Sequence, residues 1–209
     1  MSKPGLILIG AGGHARACID VIEQHDQFQI AGLIGLPEEI HRNQFNYSVI
    51  ATDKDLPFLV KSYQYALIAV GQIKKPDNRM SLYHLATKLG FQFPVIIAPS
   101  SSVSRKATIG AGSIVMHGAI VNAGARIGSN CIINTRALVE HDVTVADHCH
   151  ISTGSILNGE VSVGAGSFVG SGSIIKECVT IGQRSVIGMG VSVRHNMADY
   201  ARYIGADKA

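Results

Sequence analysis

Residues 139–152 read VEHDVTVADHCHIS, which places three of the chain's nine histidines within fourteen residues, with a cysteine between two of them. An imidazole beside a carboxylate, as at His141 and Asp142, suits general acid–base chemistry. Histidine titrates near neutrality, and a neighbouring carboxylate orients the ring and stabilises its protonated form. Imidazole and thiolate are equally ligands for zinc, and a run of polar residues is also what a solvated face looks like. The element that carries these side chains decides among the three.

That element declares its own period. From Val103 to Val193 an aliphatic residue recurs at every sixth position, sixteen times without an insertion. Four residues after each of the first fifteen stands Ala, Ser, Cys or Val and nothing else. Neither an amphipathic helix nor an alternating strand holds such a phase over this distance. A hexapeptide repeat is the signature of a parallel β-helix. Three hexads make one coil, and residues eighteen apart stack at strand spacing, about 4.8 Å. In this phase Val139, Val145 and Ile151 point into the core, and Cys131 and Cys149 fill small inward corners. The His-Cys-His triplet at 148–150 is therefore not a three-ligand cluster. His141, Asp142, His148 and His150 fall at outward or turn positions. Ala123 and Gly159 lie eighteen residues either side of His141, so its ring is expected in a groove.

The first hundred residues alternate strands and helices. Strands are predicted at 5–10, 28–35, 65–71 and 93–98, with helices at 14–24 (Ala17, Val21 and Ile22 inward) and 78–90. Such alternation implies a parallel, half-Rossmann-like sheet. In the loop GAGGHA, Gly10, Gly12 and Ala15 satisfy the dinucleotide pattern. The second strand ends at Ile34-Gly35 without the acid that an NAD ribose requires, so NAD is not expected. Backbone N–H groups at that helix start would suit phosphates. The domains are expected at 1–98 (α/β), 103–194 (β-helix) and 195–209 (C-terminal tail).

Net charge is +3 and no basic run exceeds Lys74-Lys75, which excludes an electrostatic nucleic-acid footprint. No apolar run reaches the length of a membrane span. Cysteines at 18, 131, 149 and 178 form no paired motif, which fits a reducing cytoplasm.

Residues 122–164, NAGARIGSNCIINTRALVEHDVTVADHCHISTGSILNGEVSVG, behind a strand–GAGGH–helix unit, resemble the NeuD/PglD-type sugar acetyltransferases of the hexapeptide-repeat superfamily. The resemblance spans nearly the whole chain, and IINT…EHD…HIS is its most specific part. It implies a left-handed β-helix, acetyl-CoA as co-substrate, no metal, and a homotrimer with active sites in clefts between neighbouring helices. By match to the family, His141 is the general base of a direct ternary-complex transfer and Asp142 its partner. His150 lies against the acetyl end of the cofactor, and it or the Gly159 backbone stabilises the oxyanion. The CoA arm is expected along Gly159, Gly170, Ser171, Arg184, Gly188, Arg194 and Lys208. The sugar is expected at the loop of Gly10, Gly12, Gly13 and His14.

Two departures from the family pattern stand out. YIGADKA (203–209) lacks the proline of the usual terminal motif, and LIGLPEE displaces Glu38 and Glu39 from the acid pair that UDP-sugar-using relatives carry. The implied activity is N-acetylation of a nucleotide-linked amino-deoxy sugar for bacterial surface glycans. O-acetylation of a sialic-acid-like nonulosonate is an alternative. A zinc enzyme resembling the γ-type carbonic anhydrases, with ligands among His117, His141, His148 and His150, is a further one.

Overall fold

The computed structural model describes residues 3–73 and 75–205; Lys208, expected at the CoA arm, lies outside them. The chain forms two compact units. Residues up to Gly71 together with Asp77–Ile96 make the first, and Gln72–Pro76 together with Ile97 onward make the second.

The first unit runs β1 (Gly5–Ile9), α1 (Gly13–His25), β2 (Gln29–Gly35), β3 (Asn43–Gln44), β4 (Tyr47–Thr52), α2 (Leu56–Leu59), β5 (Tyr65–Ile68) and α3 (Asp77–Leu89). The sheet order is β3-β4-β2-β1-β5, parallel except for the β3–β4 hairpin. Helix α1 buries Ala15, Cys18, Ile19 and Ile22, residues at i, i+3, i+4 and i+7, together with Val21. Ala17, expected inward, falls on the opposite side and is exposed. The strand expected over 93–98 shortens to Ile96–Ile97, where the chain passes to the second unit.

The second unit is the predicted parallel β-helix. Sixteen two-residue strands, from Ser102–Val103 to Ser192–Val193, each end in the aliphatic residue that the repeat marks. They stack in three parallel sheets with a shift of eighteen residues: Val139 pairs with Val121 before it and Leu157 after it. These aliphatic residues and the small corner residues form one continuous core. Every sixth residue from Gly112 to Gly190 has a positive φ, because each corner turns through the left-handed region. Glycine takes that slot freely, whereas an L side chain costs roughly 1–2 kcal/mol there.

One corner carries a stack of side-chain donors. Ser113, Cys131, Cys149 and Ser167 each donate to the carbonyl fifteen residues on, at Gly128 (2.7 Å), Ala146 (3.2 Å), Gly164 (3.2 Å) and Gly182 (2.9 Å). A small inward residue there must also satisfy a buried carbonyl, which explains serine or cysteine in place of alanine. Burial pushes the Cys149 thiol well up, as does its neighbour Cys131, so it is packing rather than a nucleophile. Beyond Val193, Met197 bridges Ile181 and Arg202–Tyr203 pairs with Val186–Ile187, adding a partial coil within the span assigned to the tail. Among the described residues no helix is long and apolar enough to cross a membrane.

Candidate active site

His141 and Asp142 occupy one corner of the β-helix, between the strands Leu138–Val139 and Thr144–Val145. Their backbone is pinned on both sides: the Asp142 amide donates to Ala123 O (3.1 Å), and His141 O accepts from the Glu160 amide (3.1 Å). Asp142 takes the left-handed slot of the turn, with φ 60°. This brings its Oδ2 to 3.0 Å from His141 Nδ1, so Nδ1 carries the hydrogen and Nε2 is left as the basic atom. Both side chains are more than half exposed. The hydrogen bond to Asp142, then the charges of Asp142, Glu140 and Glu160, raise the His141 pKa above its ordinary 6.5 against a smaller desolvation effect.

Two glycines make room for this pair. A Cβ on Gly159 would stand 2.6 Å from His141 Cε1 and Nε2, so the ring lies over the bare Gly159 backbone. A Cβ on Gly124 would collide with the Asp142 carboxylate. Glu140, which sequence reasoning missed, braces the corner from the next column. It accepts from Asn122 Nδ2 (2.9 Å) and from the His141 amide (3.4 Å).

Below the pair along the same corner runs an open groove of about 620 Å³, lined by Asn158, Ile174, Lys176, Glu177, Val193, Arg194 and His195 among others. Of the residues expected at the CoA arm, Gly159 and Arg194 belong to this corner. Gly170, Ser171 and Gly188 lie at the next corner. There the two glycines are demanded by packing, since a Cβ on Gly170 would meet the Gly188 backbone at 2.5 Å and one on Gly188 would meet Ile204 at 2.8 Å. Arg184 sits at the third corner, its side chain against Gly166. Within one chain these candidates are thus spread over three corners.

His150, expected at an outward position, is buried at 7% exposure. Its Nδ1 lies 2.6 Å from the Gln72 carbonyl, which can only accept. Its Nε2 lies 3.0 Å from Asn134 Nδ2, and Asn134 Oδ1 accepts the Thr135 amide at 2.8 Å, which turns the NH₂ group toward the ring. Nδ1 is therefore the protonated nitrogen and Nε2 an acceptor. In this tautomer the ring's own N–H is engaged by the Gln72 carbonyl. Gln72 also donates to Gly166 O (3.1 Å), and Pro76 packs on Gly166. His150 thus clips Gln72–Pro76 onto the coil. His148 is likewise buried, with Nδ1 3.0 Å from Asn130 Nδ2, rather than solvated. His117, His141 and His148 stand at three different corners. Among the described residues no three His, Cys, Asp or Glu side chains come together as a metal set.

In the first unit the GAGGHA loop ends β1 and opens α1. Gly10 is demanded by the fold: its φ is 126°, and a Cβ would meet Ala69 and Val70 at 2.8 Å. Gly12 and Gly13 are different, since nothing lies within 4 Å of either Cβ position, and no side chain caps the helix at Gly12. His14 is half-buried, with Nε2 3.4 Å from Cys18 Sγ. Burial pushes the Cys18 thiol up to about 12, against the charge of Arg79. Arg79, another residue missed from sequence, is buried and donates to Ile68 O (2.6 Å) and Val70 O (2.8 Å) at the end of β5. Beside the loop is a cavity of about 280 Å³ bounded by the ends of β1 and β2, by Val70 and by α3.

The PglD N-terminal domain profile matches residues 5–84, and the hexapeptide repeat of succinyl-transferase profile matches 160–194. No curated protein matches the chain significantly. Among solved structures, the H141N mutant of perosamine N-acetyltransferase from Caulobacter crescentus, in complex with CoA and GDP-perosamine, is 31% identical with a TM-score of 0.91. That match covers 98% of this chain and 95% of that one. The acetyltransferase domain of PglB from Neisseria gonorrhoeae, in complex with acetyl coenzyme A, is 29% identical over 98% and 97% of the two chains, TM-score 0.89. WeeI from Acinetobacter baumannii, 21% identical over 96% and 97%, shares the fold at TM-score 0.81. With matches of this identity running the length of both units, the chain belongs to the PglD-type sugar acetyltransferases of the hexapeptide-repeat superfamily.

Proposed function

We propose that the protein transfers the acetyl group of acetyl-CoA to the amine of a nucleotide-linked amino-deoxy sugar of bacterial surface glycan biosynthesis, with His141 as general base. The observation that carries this reading is the His141–Asp142 pair, its ring more than half exposed over Gly159, with a groove bearing Lys176 and Arg194 below it. The sugar amine attacks the thioester carbonyl while Nε2 takes its proton. The C–S bond then breaks, and the departing thiolate receives that proton from the imidazolium. In this reading the Gly159 backbone N–H stabilises the acetyl oxygen, and the two cations of the groove suit the phosphates of CoA. In the first unit, Gly12, Gly13 and the uncapped start of α1 suit the acceptor's diphosphate. The Caulobacter relative supports this choice of acceptor, since it was crystallised with both CoA and a nucleotide-linked amino sugar.

A homotrimer fits the same reading. One face of the β-helix presents Ile120, Leu138, Ile156 and Ile174 outward in a single column, with Ile120 and Ile174 exposed. A column of this kind is suited to association, and it ends at the His141 corner.

The test is thiol release from acetyl-CoA against UDP-, GDP- and CMP-linked amino sugars and free sialic acids, with His141→Ala as control. Turnover of an amino sugar nucleotide that falls ~10²–10⁴-fold in the variant, with acetyl-CoA binding kept, is the expected result. Turnover of a nonulosonate alone would move the acceptor to the O-acetyl class. Failure to bind acetyl-CoA would overturn the reading.

A further inference from the structure

The cavity beside the GAGGHA loop is lined by three kinds of group. Gly10, Ala11 and Gly12 line it from the loop. Apolar side chains of Ile34, Leu36, Val70 and Leu82 line it too, together with the polar groups of Glu39, Asp53 and Asn78. At about 280 Å³ it lies at the small end of ligand cavities, the size for a base and part of its ribose rather than a whole nucleotide-sugar. The two acids differ in what they already do. Glu39 Oε2 accepts the Leu36 amide at 2.9 Å and so closes its own turn. Asp53, half-buried at the end of β4, has no hydrogen-bond or ion-pair partner among the described residues, and burial raises its pKa. A partly desolvated carboxylate without donors, in the lining of a largely apolar slot, is short of N–H partners.

The edges of the nucleobases discriminate among themselves. A carboxylate engages two adjacent N–H donors side by side, and guanine offers such a pair at N1–H and its exocyclic N2 amine. Uracil presents N3–H between two carbonyl oxygens, both of which a carboxylate repels. Cytosine and adenine present one amine beside a ring-nitrogen acceptor. The Asn78 amide can donate to guanine O6, which neighbours N1. We infer that the acceptor's nucleotide is a guanosine diphosphate, with Asp53 reading N1–H and N2–H while the diphosphate rests on Gly12 and Gly13. This rests on the nucleotide-sugar reading above and adds the base.

The experiment is calorimetric binding of GDP, IDP, UDP and CMP to the full chain, to Asp53→Asn and to Glu38→Gln, an acid outside the cavity. IDP differs from GDP only in lacking the N2 amine. In the unsubstituted protein GDP binds tightest, and IDP is weaker by about 10- to 100-fold, the value of a hydrogen bond to a charged group. Asp53→Asn weakens GDP by a similar factor and narrows the GDP-to-IDP ratio. It leaves UDP unchanged or tighter, because a negative charge near the diphosphate is gone. Glu38→Gln keeps the full preference. The inference is overturned if UDP or CMP binds as tightly as GDP, if no nucleotide binds, or if the GDP-to-IDP ratio survives Asp53→Asn with unchanged melting temperature. Acetyl-CoA binding, measured on the same preparations, separates the two ideas: its loss sinks the acetyl-transfer reading, whereas its retention with the wrong base preference sinks only the guanine assignment.

Discussion

Replacing Gly159 with alanine tests the proposed role of His141 as base without touching that residue. The added Cβ would stand 2.6 Å from Cε1 and Nε2 of His141, whereas carbon atoms rest comfortably at about 3.5 Å or more. The ring must therefore retreat by about 0.9 Å. It is more than half exposed and free to do so, so the fold pays little. Gly159 is absent from the residues with positive φ, so alanine is compatible with its backbone and should add about 0.4–1 kcal/mol of stability through the unfolded chain. The hydrogen bond to Asp142, 3.0 Å at present, stretches or drags the carboxylate with it. A displacement near 1 Å at a reacting group costs roughly 10² in rate. The expected result is a kcat about a hundredfold lower with a melting temperature unchanged or raised, from thiol release at saturating acetyl-CoA and thermal denaturation of the same sample. A kcat within threefold of the unsubstituted enzyme would refute the placement of the base. A loss confined to the KM for acetyl-CoA would show that the methyl group obstructs the cofactor rather than the ring.

Three further perturbations probe the surroundings. Asp142→Asn removes the main cause of the raised His141 pKa. If His141 is the base it works unprotonated, so activity falls as pH drops through that pKa, and the acidic limb of the pH–kcat profile should move from above 6.5 to lower pH; a limb that stays put would exclude Asp142 as the cause. His150→Phe leaves the Gln72 carbonyl and the Asn134 amide without their partner. It should cost about 1–3 kcal/mol in denaturant unfolding and speed hydrogen exchange across 72–76, and unchanged protection there would mean the ring does not hold the segment. Cys149→Ser keeps a donor for Gly164 O and should change stability by less than about 1 kcal/mol, whereas Cys149→Val should cost about 1–3 kcal/mol; equal effects would show that the thiol hydrogen bond contributes nothing.

The β-helix was legible because its period is written into every coil. An aliphatic residue that fails to recur has no layer to join, so sixteen recurrences specify sixteen strands in register. The inward address of Cys131 and Cys149 followed from the same phase, and both are fully buried. The phase says which way a side chain points from its own coil, but not what covers it afterwards. His150 and His148 were therefore placed outside, and His150 was found clipped to Gln72, seventy-eight residues earlier in the chain. The segment QIKKP gave one faint signal, a proline-ended polar run between a strand and a helix. Arg79 and Asp53 were invisible for a related reason: a buried guanidinium on two strand-end carbonyls and a carboxylate in a cavity lining depend on parallel strands ending together. No local pattern records that.

The position of the His141–Asp142 pair, by contrast, is dictated by columns. A ring in the second slot after Val139 needs a bare backbone one coil later, and a carboxylate in the third slot needs one a coil earlier. The turns stacked at this corner read Ala123-Gly124, His141-Asp142, Gly159-Glu160, Glu177-Cys178 and His195-Asn196. A histidine at 123 would meet His141, one at 159 would meet Glu177, and one at 177 would meet His195. An acid at 160 or 178 would have Asp142 or Glu160 before it in place of glycine. Only at 141–142 do both vacancies coincide, Gly159 on one side and Gly124 on the other. The pair is thus specified by three successive coils rather than by its own two residues, and moving it one coil along would keep the motif while removing the room in which its side chains sit.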